Sequence, residues 1–231
     1  MHVRRSIPLL LAAASLVAVL ACRKKDSPPP RPYYSEPPPT GAPPPVVSVG
    51  PPALCDSNNF ADCRGQCEVN KHAQSCRELG YMYQKGLAGA PLDTTKAMQL
   101  YLFSCSSGYS GACTDVGFLH DNGIGVPPNP FEGFKWYRKA CDDGDSMGCF
   151  DLALMYEKGR GTTQDLTIAT AYHERACAMG NPNGCSSAGN NYVKGRGVSP
   201  DRPKGVMLLK KGCIGKDNWG CTKLDEIGEP H

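Results

Sequence analysis

Eight cysteines fall into four pairs, Cys105 and Cys113, Cys141 and Cys149, Cys177 and Cys185, Cys213 and Cys221, and each pair begins 36 residues after the last. A chain marked at so regular an interval is a tandem array of one structural unit, and a period in this range signals helix pairs stacked side by side. Other columns keep the same step. Gly123, Gly159 and Gly195 recur, followed by Gly125, Gly161 and Gly197, and Tyr156 and Tyr192 share a column that His120 takes one unit earlier.

Each unit reads as two helices. In "CFDLALMYEK", Cys149, Leu152, Ala153 and Tyr156 fall on one helical face, the spacing of a helix with one side in a core. The "GRG" that follows ends it, since glycine tolerates the left-handed conformation at a helix C-terminus. The second helix opens at Asp165, in the column of Asp93, Asn129 and Asp201, residue types whose side-chain oxygen caps a helix N-terminus. Pro130 follows Asn129 at the first helical position, where its missing N–H costs nothing. The second helix then runs through "LTIATAYHERACAM" to Gly180. Units are expected near residues 76–112, 113–148, 149–184 and 185–220, with a half-unit at 221–231 as a terminal cap.

Geometry bears on what the paired cysteines do. Eight residues of uninterrupted helix separate two Cα atoms by about 12 Å, whereas a disulfide needs them within roughly 7 Å. The chain must therefore reverse between Cys141 and Cys149, and Gly144 and Gly148 are expected to supply the flexibility. Each bridge would staple one unit's second helix to the next unit's first. At the N-terminal end, "CRGQCEVNKHAQSC" sets Cys63, Cys67, His72 and Cys76 near a zinc-knuckle spacing, but that choice strands Cys55. Pairing Cys55 with Cys63 and Cys67 with Cys76 uses all four cysteines, although four cysteines allow three connectivities. No metal site and no cofactor are expected, and without a C-x-x-C there is no thioredoxin-like redox motif.

Thirteen cysteines point to an oxidising compartment. The chain starts with a basic "MHVRR" and an apolar run too short for a comfortable membrane span, as in an export signal. The run stops at "VLAC", which resembles a bacterial lipoprotein lipobox, although Leu20 is a less usual residue there. The resemblance implies a signal peptide over residues 1–21 and lipidation of Cys22, which leaves twelve cysteines to pair. Residues 22–52, rich in proline, read as an extended tether, and folding is expected from residue 53 to 231. In the "RKKDS" after Cys22, the residue that follows the cysteine is Arg23 and not an acid. By resemblance to enteric lipoprotein sorting this favours the outer membrane, with the domain facing periplasm or exterior. The net charge of +3 makes no electrostatic case for nucleic acid.

The pattern "KAC…G…GC…LA…Y.KGRG" resembles the Sel1-like repeat, and within it the cysteine-rich Hcp-like branch, over residues 67–221. The resemblance implies an all-α fold, a right-handed α/α solenoid of TPR-like helix pairs stapled by disulfides. The chain departs from the pattern in the first unit, with an extra residue between Cys67 and Cys76 and another in "GLAGAPLD", and at His120.

The Hcp-like branch also carries a β-lactamase label, so penicillin binding or β-lactam hydrolysis is the alternative that the resemblance implies. The residues do not support it. No serine has a lysine three positions later, and S-D-N, K-T-G, G-x-S-x-G and P-loop motifs are absent. Histidines are too scattered for a metallo-enzyme, and His173, inside "AYHERAC", reads as a packing or surface residue. No catalytic residue is assigned. The competing expectation is a scaffold whose first helices line a concave surface for a protein or peptide partner in the envelope or outside it. Its candidate contact residues are the column Tyr81, Phe118, Leu154 and Asn190, beside an acidic column of Glu78, Asp115 and Asp151. These apolar members would equally serve as core between units. Trp136 and Tyr137 are expected to pack against a neighbouring unit.

Overall fold

Every second helix opens on an acid or amide that caps it. Asp93, Asn129, Asp165 and Asp201 accept from the backbone N–H of Lys96, Glu132, Ile168 and Lys204. Every first helix within the repeats closes on a left-handed glycine: Gly86, Gly123, Gly159 and Gly195. Between these signals the computed structural model, which describes residues 55–230, is helical throughout. The leader, Cys22 and the proline-rich stretch lie outside the described residues.

The elements are α1 (Phe60–Glu68), α2 (Ala73–Lys85), α3 (Thr94–Ser106), α4 (Ser110–Asn122), α5 (Pro130–Asp142), α6 (Ser146–Lys158), α7 (Leu166–Ala178), α8 (Pro182–Lys194), α9 (Arg202–Ile214) and α10 (Asn218–Glu226). Helices α2–α3, α4–α5, α6–α7 and α8–α9 are the four units of an α/α solenoid. Helix α10 is the half-unit that closes it. Helix α1, which the repeat pattern announces only at Cys67, covers the other end. First helices begin three residues ahead of their cysteine, at Ser146 rather than Cys149, because the cap is Asp145. No helix among the described residues is long and apolar enough to cross a membrane.

Six disulfides run along the array: Cys55–Cys63, Cys67–Cys76, Cys105–Cys113, Cys141–Cys149, Cys177–Cys185 and Cys213–Cys221. The last four join one unit's second helix to the following first helix. At Cys141–Cys149 the Cα atoms are 4.4 Å apart, which requires the reversal. Closing so short a loop is worth about 2.5 kcal/mol in chain entropy. The two glycines here act differently, a correction to the expectation that both provide flexibility. Gly144 makes the turn at φ +94°. Gly148 is helical, and a Cβ there would come within 2.6 Å of the Ala140 Cβ, so its role is to let α5 and α6 cross closely.

Units meet through apolar columns and a polar seam. Leu79, Leu119, Leu152, Tyr101 and Phe134 are fully buried, and Phe134, Tyr156 and Tyr172 form a chain of ring contacts at 5.2 and 5.8 Å. The "GRG" loop reaches back across the junction. Gly161 sits so close to the start of α5 that a Cβ would lie 2.2 Å from the Pro130 carbonyl oxygen. Its neighbour Arg160 donates to the Asp121 carbonyl at 2.9 Å and lies 2.8 Å from that residue's carboxylate. One unit later Arg196 donates to the Glu157 carboxylate at 2.8 Å. In the first seam Gln84 stands in the acid's column, accepting from the Tyr101 hydroxyl at 2.8 Å, and Ile124 stands in the arginine's. Acid meets arginine in the later seams, and an amide and an isoleucine hold those two columns in the first.

His173 is completely buried, so its place is in the packing and not on the surface. Its ring lies 5.4 Å from that of Phe150, and Nε2 stands 3.6 Å from Glu157 Oε2, beyond a normal hydrogen bond. His173 and then Arg196 hold the Glu157 carboxyl down at about 2, against the opposing effect of burial. Cations also bind the ends of preceding second helices. Arg175 donates to the Cys141 carbonyl at 3.0 Å and Lys211 to that of Cys177 at 3.2 Å, where the helix dipole favours positive charge.

Candidate functional site

First helices approach one another across units, α4 against α6 and α8 against α10, and Arg77 on α2 reaches Asp115 on α4. They therefore form the inner layer of the array. On this layer the i, i+3, i+7 spacing of one helical face brings together Glu78, Tyr81 and Lys85 on α2, Asp115, Phe118 and Asn122 on α4, and Asp151, Leu154 and Lys158 on α6.

Tyr81 and Phe118 are about two-fifths exposed, too large and too open for residues whose whole role is core. Leu154 is half-buried beside them. Asn190 departs from this column: it is only 6% exposed. The helix that carries it, α8, is packed against both α9 and α10. It is not part of an accessible face. Trp136 and Tyr137 pack within the array, Tyr137 fully and Trp136 against the Cys105–Cys113 cluster.

The acidic column is half-buried along its length, and its members differ in what answers them. Arg77 bridges Glu78 at 3.0 Å and Asp115 at 2.6 Å. Burial pushes the Asp115 carboxyl up while Arg77 pulls it back. For Asp151, burial comes first and the carboxylates of Asp145 and Asp121 add to it, with Lys158 in opposition, so the group is pushed up to about 7. Asp151 borders a small recess of about 60 Å³, lined also by Asp121, Tyr137, Leu154, Met155, Lys158 and Arg160.

Cys63, Cys67 and Cys76 are oxidised in bridges, which removes the thiolates a zinc site requires. His72 caps α2, its Nδ1 accepting from the Ser75 N–H at 3.3 Å. No cluster of three or more metal-ligating side chains occurs among the described residues.

Arg77, Arg160 and Arg196 shape this layer and were not singled out from the sequence. The signal was present for two of them. The pairs Asp121 with Arg160 and Glu157 with Arg196 both span 39 residues, one repeat plus three, an offset that has meaning only once the stacking is known.

A family profile described as Sel1 repeat matches residues 73–109, 110–145, 146–181 and 183–217, more than half of the chain. Those boundaries coincide with the helix pairs to within a few residues. A Sel1 repeat protein from Oxalobacter formigenes is similar in structure with a TM-score of 0.69 at 24% identity, over 74% of this chain and 70% of that one. The protein c5321, a protective antigen present in uropathogenic Escherichia coli strains and displaying an SLR fold, matches with a TM-score of 0.66 at 28% identity, over 72% of this chain and 35% of its own. In sequence, 60 residues are 37% identical to cytochrome c oxidase assembly factor 7 of Xenopus tropicalis, 25% of this chain and 26% of that protein. The chain thus spans about a quarter of that curated relative.

Proposed function

The chain belongs to the Sel1 repeat family, and we propose that it is an exported bacterial lipoprotein whose repeats hold a protein or peptide partner on the inner layer of first helices. The observation that carries this reading is the row of Tyr81 and Phe118, open to solvent on adjacent first helices with Leu154 next in line. Stacked helix pairs present such rows as an extended surface, suited to an elongated partner rather than to a small molecule held in a deep cavity. Half-exposed aromatic rings give contact area at low entropic cost.

The export part of the reading rests on chemistry. Six disulfides among the described residues require an oxidising compartment. With those twelve cysteines paired to one another, Cys22 is the thirteenth, placed at the end of the apolar leader. Lipid on Cys22 would hold the array in the envelope on its proline-rich tether, with the outer membrane as the favoured site.

Photo-crosslinking side chains placed at Tyr81 and Phe118, and as controls at Phe103 and Met207 on second helices, test the face in cells. One partner captured from the two inner positions and not from the controls is the expected result. Capture only from the second helices would overturn the assignment of the face. Incorporation of labelled palmitate that disappears in Cys22→Ser tests the anchor.

A further inference from the structure

Asp115 and Asp151 occupy one column of the repeat, a unit apart. The preceding first helix seats a guanidinium on Asp115: Arg77 donates Nε–H to Oδ2 at 2.6 Å and Nη2–H to Oδ1 at 3.3 Å. In the next unit the column of Arg77 is held by Thr114. The Thr114 hydroxyl turns away to the carboxylate of Asp145, which is engaged as the cap of α6, accepting the Gly148 N–H at 2.9 Å. At the third unit the carboxylate keeps its place and the array no longer provides the cation.

Building on the reading that the inner layer holds a peptide, we propose that the recess beside Asp151 receives an arginine side chain from an extended segment of the partner, seated on Asp151 as Arg77 is seated on Asp115. Leu154 and Met155 offer apolar wall to the methylene stem. Phe118, exposed on the adjacent helix, offers a ring to residues flanking the arginine. A planar guanidinium fits better than an ammonium, because two parallel N–H groups match a carboxylate.

The charges around Asp151 favour a cation. Asp121 on α4 and Asp145 in the turn before α6 are negative. Tyr137 on α5 is neutral, held so by burial. Arg160 in the loop after α6 is already engaged with Asp121. Lys158, on the same helix, is the competing positive charge, exposed at the rim. A carboxyl pushed up to about 7 is part-protonated at neutral pH, so seating a guanidinium would release a proton and binding would strengthen from pH 6 to pH 8.

The test is calorimetric titration of the disulfide-bonded full chain with the peptide acetyl-Ala-Ala-Arg-Ala-Ala-amide, against the same peptide with glutamine in place of arginine. One saturable site is expected for the arginine peptide, with at least tenfold weaker binding of the glutamine peptide. Asp151→Asn should lose that site tenfold or more while melting no lower than the parent, since it removes a carboxylate that the array leaves unanswered. Arg77→Gln should open a second site on Asp115 and raise the stoichiometry from one to two. Equal binding of the two peptides, no binding of either, or unchanged binding by Asp151→Asn would overturn the proposal. If crosslinks from Tyr81 and Phe118 persist in that case, the inner face still holds a partner and only the arginine assignment falls.

Discussion

Two carboxylates on α6, six residues apart, experience opposite environments. Glu157 faces the seam between units, where Arg196 from the next loop and His173 from α7 meet it, and its carboxyl is held down at about 2. Asp151 faces the inner layer, where burial and the neighbouring Asp145 and Asp121 push it up to about 7. Both are half-buried. The difference lies in whether the array brings a cation to the acid, and it separates residues that hold units together from residues left open to something outside the array. A repeat column conserves geometry, so the same geometric slot can be closed by the chain at Asp115 and left open by it at Asp151.

The pH consequences run in opposite directions. Glu157 has a folded value below its ordinary 4.5, so its stabilisation is present above that pH and is lost as pH falls toward about 2. Asp151 has a folded value above its ordinary 3.8, so the folded chain holds a proton that the unfolded chain has released. Stability from this group therefore falls as pH rises from about 4 to about 7, and its full cost applies beyond.

The comparison breaks most sharply at the seam. Arg196→Ala takes the guanidinium from Glu157, and a loss of about 1.5 kcal/mol is expected by urea denaturation at pH 7, the value of a charge-assisted hydrogen bond reduced by solvent screening of the partly exposed Arg196. Asp151→Asn should do the reverse, gaining about 1 kcal/mol at pH 8 and nearly nothing at pH 4, where the parent carboxyl is already protonated. The smallest effect sharpens the comparison by moving a seam. Gln84→Glu alone should destabilise the first junction, and adding Ile124→Arg should restore it, with a coupling of about 0.5–1 kcal/mol in a double-mutant cycle.

What the sequence made legible was what local chemistry decides. Caps at Asp93, Asn129, Asp165 and Asp201, glycine stops and the 36-residue step define the helix pairs, because each depends on neighbours within a few residues. Helix α1 was legible only at Cys67, which keeps the cysteine column, since the residues before it carry none of the other repeat columns. Nor was the difference between Gly144 and Gly148, which look alike in sequence but serve a turn and a close helix crossing. The inner face was legible as a pair of columns and not as accessibility. Tyr81 and Phe118 are open, Asn190 is closed, and Asp115 is already taken by an arginine 38 residues earlier. Those outcomes depend on what neighbouring units bring, and that information lies a full repeat away from each residue.

The most direct single measurement is a carboxyl-carbon NMR titration of the disulfide-bonded full chain, following Asp151 and Glu157 individually. Midpoints near 7 for Asp151 and near 2 for Glu157 are the expected result, with the Asp151 midpoint moving down when the arginine peptide is added. Two midpoints together in the ordinary carboxylate range near 4 would contradict the distinction between an acid answered by the array and an acid left for a partner.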